Sequence, residues 1–178
     1  MNENHDPIIL EKRIGKSVKE NPYVSVIIPA HNLAPYIVET LDSVFAQTFT
    51  DFEVVLVNDG STDTPEFEQL LQPYFDKLIY ISQENAGASV ARNTAIANSS
   101  GKYLAFLDGD DVWLPENLAS QIKFIEDNSF EMIYCDAWLF GEINYKEDTY
   151  RQKSPSEGEV TTESLLLGKC NVITSGTV

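Results

Sequence analysis

The chain is poor in positive charge and in sulfur. Of its 178 residues 12 are Lys or Arg against 28 Asp or Glu, a net charge of −16. A field of that sign repels phosphate backbones and anionic lipid heads, which argues against nucleic-acid binding. It also opposes any anionic small molecule unless a cation intervenes, so carboxylates able to hold a divalent metal become the feature to look for. Two cysteines, Cys135 and Cys170, are too few for a disulfide-stapled scaffold and lack metal-ligand spacing; they read as reduced thiols of a cytosolic protein. No apolar run approaches the roughly 18–20 residues of a bilayer span. Residues 1–22 carry Lys12, Arg13, Lys16 and Lys19 without the apolar stretch of a secretory signal, and are expected to form a frayed or loosely helical lead-in.

What is present is enough apolar material, 43% of the residues, for one packed domain. Val24-Ser25-Val26-Ile27-Ile28 is nearly all apolar, as a strand buried on both faces should be, and Pro29 is expected to end it. Ile37, Val38, Leu41, Val44 and Phe45 then mark one face of a helix, with Pro35 near its first turn. The rhythm repeats, with strands expected at 53–57, 78–81, 103–107 and 131–135. The intervening helices carry Phe67, Leu70 and Leu71, then Ala88 to Asn98, then Leu118, Ile122 and Ile125. Strands alternating with single helices imply right-handed crossovers and a mainly parallel, twisted α/β sheet with helices on both faces. After residue 140 the rhythm stops. Residues 141–158 read as a polar loop or flap, Thr162 to Leu167 as a short helix ending at Gly168, and 172–178 as a strand cut short. The expected division is therefore a lead-in (1–22), a core (23–140) and a loop, short helix and incomplete further region (141–178).

In such sheets ligands bind beyond the carboxyl ends of the strands, where strand order reverses. Four strand ends carry unusual chemistry: Pro29-Ala30-His31-Asn32, then Asn58-Asp59-Gly60-Ser61-Thr62-Asp63, then Glu84-Asn85-Ala86-Gly87-Ala88-Ser89 with Arg92-Asn93 close behind, then Asp108-Gly109-Asp110-Asp111. If the fourth strand continued through the last of these, alternation would put Asp108 and Asp110 on one side, a pair suited to Mg²⁺ or Mn²⁺. The same residues can instead be an Asx-rich turn capping the next segment. An EF-hand is excluded, since twelve-residue loops from Asp108 or Asp110 end on Ala119 or Gln121, not Glu. Asp59 can accept from a base N–H or a ribose hydroxyl, or belong to a strand-to-helix turn. Gly87 precedes a helix N-terminus that can receive an anion. Arg92 can meet a diphosphate or pair with an acid, and His31 can contact a base or be a satisfied loop histidine.

Taken in order, these four segments resemble the signatures of family 2 glycosyltransferases with the GT-A fold, over about residues 23–140. The resemblance implies a nucleoside-diphosphate-sugar donor, a UDP-sugar foremost, and a carbohydrate or lipid-linked acceptor whose hydroxyl inverts the anomeric carbon in polysaccharide or glycoconjugate synthesis. It gives the base and ribose to Ala30, His31, Asn32 and Asp59, and the ribose and metal to Asp108 and Asp110, with Asp110 the direct ligand. Pro29, Gly87, Arg92 and Gly109 complete the expected donor site. A cytoplasmic protein, peripheral at the inner face of the membrane, fits this role. The family's catalytic base lies near an acidic pair that this sequence does not reach before Val178, so the chain reads as a fragment, and Asp136 is the weak candidate within it. Two other readings stay open: a nucleotide-sugar-binding module without turnover, and a haloacid-dehalogenase-type phosphatase with Asp108 as nucleophile and Asp110 as acid/base. The phosphatase reading lacks a later Gly-Asp-x-x-x-Asp among the residues after Val112. A dinucleotide-binding oxidoreductase is disfavoured because no strand is followed by Gly-x-Gly-x-x-Gly.

Overall fold

β-Branched runs form four parallel strands in the computed structural model, which describes residues 6–140, 149–156, 160–167 and 170–178. In chain order the elements are β1 (Ile9–Ile14), β2 (Val24–Ala30), α1 (Ile37–Phe45), β3 (Phe52–Asp59), α2 (Thr64–Leu70), β4 (Ile79–Gln83), α3 (Ala88–Ala97), β5 (Tyr103–Phe106), α4 (Asn117–Asn128), α5 (Tyr150–Lys153) and α6 (Thr162–Leu166). The sheet order is β1-β4-β3-β2-β5.

Both faces of the sheet are covered, which explains why its strands lack polar alternation. Ile37, Leu41 and Val44 of α1, Phe67 of α2, and Leu118, Ile122 and Ile125 of α4 share one cluster with Val26, Ile28, Val54 and Leu56. On the other face Ala91 and Ala95 of α3 pack on Ile27, Val55, Val57 and Ile81. Alanines at this contact let the helix lie close to the sheet. Each fully buried Leu or Ile contributes about 1.5–3 kcal/mol relative to exposure.

Three expectations are corrected. The lead-in contains β1, an edge strand antiparallel to β4, rather than a frayed or helical segment. Its charges suit an edge, and Arg13 also stacks 4.7 Å from the Phe75 ring centre, so its side chain covers apolar surface. β2 runs through Pro29 to Ala30. Pro29 stands opposite Val57 of β3, while β5 pairs β2 only as far as Ile27, so the missing N–H leaves no ladder bond unmade.

Neither 131–135 nor 172–178 forms a full strand. Thr174–Gly176 winds into a 3₁₀ turn, which breaks the extended run, and Tyr134 bridges Thr177 antiparallel. Ile133 and Val178 exchange backbone bonds of 2.9 and 3.0 Å, while the Thr177 carbonyl accepts the Phe106 N–H at 2.9 Å. The chain's last residues thus lie between β5 and the 131–135 segment. Of the predicted 141–158 loop, residues 141–148 and 157–158 lie outside the described residues, and Tyr150–Lys153 forms a one-turn helix capped by Thr149 and Gln152. The expected helix at 162–167 is α6; Gly168 lies outside the described residues. Among the described residues no helix is long and apolar enough to cross a membrane.

Candidate functional site

The strand order reverses between β2 and β5. From β2 the chain passes to β3 and then β4 on one side, and α3 carries it back across the opposite face to β5. The loops after β2 and β5 therefore meet at the switch point. Gly109 is buried there: a Cβ on it would lie 2.9 Å from Leu33 Cδ1 and 3.2 Å from the Pro29 carbonyl oxygen. The Thr40 hydroxyl donates to the Gly109 carbonyl at 3.0 Å, fixing the turn from the α1 side.

β5 ends at Phe106, and Leu107 makes one last bond to Ile27, 3.1 Å from N to O. The chain then turns, with the Asp111 N–H donating to the Asp108 carbonyl at 3.1 Å. Strand alternation therefore does not govern Asp108 and Asp110; that expectation is corrected to three carboxylates on one turn. Their surroundings differ. Asp108 pairs with the guanidinium of Arg92, which reaches it from α3. Asp111 is half-buried and shares a hydrogen bond with Ser175; burial chiefly pushes its carboxyl upward, the Ser175 bond works against this, and the Asp110 and Asp108 charges add to it. Asp110 is exposed and makes no hydrogen bond or ion pair among the described residues.

The loops after β2 and β3 are clasped to each other. Asn32, with a left-handed φ of 57°, accepts the Thr62 N–H and hydroxyl at 2.8 and 2.9 Å, and its own N–H donates to Ser61 Oγ at 3.0 Å. Asp63 accepts the Ala34 N–H at 2.9 Å. His31 is exposed, its Nδ1 lies 2.8 Å from the Asp59 carbonyl oxygen, and Nε2 faces the Asn32 amide at 3.1 Å. Nδ1 also lies 3.1 Å from the Asn85 amide nitrogen, so His31 joins the loops after β2, β3 and β4. Asp59 is 2% exposed, and its carboxylate accepts from Gln83 Nε2 at 2.7 Å, Ala86 N at 2.9 Å and Gly87 N at 2.8 Å. In this structure Asp59 shapes the loop after β4 and opens Gly87, at φ 91°, into α3.

Two groups were not anticipated from sequence. Ser175 is 8% exposed; its hydroxyl accepts the Asp108 N–H at 2.9 Å, and its carbonyl accepts Trp113 Nε1–H at 2.8 Å. Gln83 orients Asp59. No local pattern marks either, because both act through contacts with distant chain. Asp136, the candidate base, is partly engaged: burial works upward on its carboxyl, but bonds from Thr149, Arg151 and Ala137 hold it below the usual value.

Whether a divalent cation suits the acid turn can be judged from the donor set. Among the described residues no three His, Cys, Asp or Glu side chains converge as a metal cage. One or two carboxylates, with the remaining positions filled by phosphate oxygens and water, is the way Mg²⁺ is commonly held. Asp110, and Asp108 if Arg92 moves, meet that requirement. Arg92 Nε is also buried without a hydrogen-bond partner, a donor that an added anion would satisfy.

A sheet of this order with these rim loops is the architecture of the GT-A glycosyltransferases. Residues 25–172 match the family described as Glycosyl transferase family 2, and the chain belongs to that family. An uncharacterised glycosyltransferase of Rickettsia prowazekii is 42% identical over 127 residues, 70% of this chain and 39% of the relative. The putative teichuronic acid biosynthesis glycosyltransferase TuaG of Bacillus subtilis is 41% identical over 112 residues, 61% of this chain and 44% of that protein. Among solved structures, S. aureus TarS 1-349 with UDP-GlcNAc superposes with a TM-score of 0.60 at 28% identity, over 70% of this chain and 37% of that one. The mannosyltransferase PcManGT of Pyrobaculum calidifontis, in complex with GDP-Man and Mn²⁺, gives 0.60 at 28%, over 70% and 38%. The chain thus spans less than half the length of these relatives.

Proposed function

We propose that this chain is the donor-binding part of an inverting, metal-dependent glycosyltransferase that takes a nucleoside-diphosphate sugar, foremost a UDP-sugar. The observation that carries the reading is Asp110: an exposed carboxylate, uncommitted among the described residues, on a buried glycine turn at the switch point of a parallel sheet. Asp110 and Asp108 would hold Mn²⁺ or Mg²⁺, and the metal would offset negative charge on the departing diphosphate. Arg92 leaves Asp108 for the diphosphate when donor and metal arrive. The loops of Pro29, Ala30, His31 and Asn32, of Asp59, and of Gly87 and Gly109 frame the nucleoside and sugar. The structures of relatives with UDP-GlcNAc and with GDP-Man and Mn²⁺ support a donor of this class. The acceptor is a carbohydrate or lipid-linked hydroxyl, and a cytoplasmic domain peripheral to the membrane would meet it. Asp136 serves poorly as the base in this reading, because its carboxyl is held low by the bonds it accepts.

The test is thermal stabilisation by a panel of nucleoside diphosphates with and without Mn²⁺. A shift that requires the metal and is largest with UDP supports the proposal. No shift with any nucleotide, or one indifferent to metal, overturns it.

A further inference from the structure

Beside the acid turn, across the Thr174–Gly176 turn, lies a cavity of about 200 Å³ lined by Tyr134, Tyr150, Arg151, Ser154, Ser156 and Asn171, among others. The two features share a wall. Ser175 holds the Asp108 N–H on one side, and the next residue, Gly176, accepts the Cys135 N–H at 3.0 Å on the other. The cavity is smaller than the roughly 300–1,000 Å³ that encloses a drug-sized ligand, so it suits one small polar unit and excludes a nucleotide.

Its lining is unevenly committed. Ser156 Oγ donates to the Asn171 carbonyl at 3.1 Å and accepts the Asn171 N–H at 2.9 Å, which ties the two walls together. Asp136 also lines the cavity, but one of its carboxylate oxygens accepts the Ala137 and Arg151 N–H groups at 2.9 Å each. The Tyr134 and Tyr150 hydroxyls, the Ser154 hydroxyl and the Arg151 guanidinium have no hydrogen bond or ion pair among the described residues. The Arg151 guanidinium lies within electrostatic reach of Asp136 in the same lining, yet its N–H donors make no hydrogen bond or ion pair among the described residues and stay open to a ligand. Guanidinium groups recognise carboxylate and phosphate through paired N–H donors, while hydroxyls and tyrosine rings suit a pyranose.

We propose that this cavity receives one sugar unit of the acceptor that bears a negative charge, with Arg151 meeting the charged group and the tyrosine and serine hydroxyls meeting the ring. The proposal rests on the donor reading above, since it takes the reaction to be sugar transfer and names the acceptor's class.

The experiment follows backbone amide resonances while methyl glucuronide, methyl glucoside and inorganic phosphate are titrated separately into the full chain and into Arg151→Gln and Arg151→Lys variants. Only the exposed end of residue 151 changes, so the backbone bond to Asp136 persists. Saturable shifts at Tyr134, Arg151 and Asn171 are expected, with the glucuronide bound about tenfold more tightly than the glucoside, the scale of one charge-assisted bond. Arg151→Gln should remove that preference and Arg151→Lys retain part of it. Equal binding of the two sugars, indifference to Arg151→Gln, or phosphate alone matching the glucuronide overturns the proposal. UDP with Mn²⁺, read at Asp108 to Asp111 in the same samples, tests the donor reading separately. Glucuronide preference without UDP binding overturns the UDP-sugar reading and supports the cavity as a sugar-acid site; UDP binding without glucuronide preference overturns the cavity proposal alone.

Discussion

The hydroxyl of Ser175 accepts the backbone N–H of Asp108 at 2.9 Å, across 67 residues of chain. The same side chain bonds Asp111, so one buried serine holds both ends of the acid turn. Ser175→Ala strands a backbone donor and a carboxylate, and should cost about 1–3 kcal/mol in urea unfolding. It should also weaken Mn²⁺ binding, because the turn loses its reference. Unchanged stability and unchanged Mn²⁺ affinity would show that the turn is held elsewhere.

Asp111 sets a pH dependence. Burial raises its carboxyl above the ordinary 3.8, with neighbouring Asp110 and Asp108 adding. A raised carboxyl favours the folded state while protonated, and that contribution is lost as pH rises through the folded value. Asp111→Asn should therefore stabilise the metal-free protein at pH 7, by an amount that shrinks as pH falls toward 3.8. Melting temperatures across that range check the sign. A gain that is constant with pH would remove the ionisation argument.

Arg92 separates two roles. Its guanidinium now occupies Asp108, and its Nε lacks a partner. If it transfers to the diphosphate, Arg92→Gln frees Asp108 and should strengthen Mn²⁺ binding without nucleotide while weakening UDP binding at saturating metal, each by several-fold to about tenfold. A purely structural ion pair would leave UDP affinity at saturating metal unmoved.

Gly60 is a geometric necessity. Its φ is 63°, and a Cβ there would sit 2.5 Å from the Asn85 backbone nitrogen. Gly60→Ala must displace the loop after β4, at a cost of about 1–3 kcal/mol. Chemical denaturation should show that loss, together with weaker nucleotide binding, since the same loop is gripped by Asp59. A stable variant with intact binding would contradict this.

Much of the fold could be read from periodicity because buried parallel strands and amphipathic helices write it locally. Val24 to Ile28 and the Ile37, Leu41, Val44 face are such cases. The exceptions share a cause. β1 depends on the Phe75 and Tyr80 rings to accommodate Arg13, and the pairing of Ile133 with Val178 is settled by tertiary contact rather than propensity. At the site, the acid and glycine types were legible but their arrangement was not. Gly109 turns the chain, so alternation gives the wrong geometry for Asp108 and Asp110. Gln83, Ser175 and the Arg92–Asp108 pair exist only once distant segments meet.

Asp110 gives the most direct test. It is exposed and uncommitted among the described residues, so Asp110→Ala should change stability by no more than about 0.5 kcal/mol. Calorimetric titration of UDP into the wild type and this variant, with and without Mn²⁺, isolates its role. The account predicts metal-dependent binding in the wild type that the folded variant loses. Metal-dependent UDP binding that survives Asp110→Ala at full strength would contradict it.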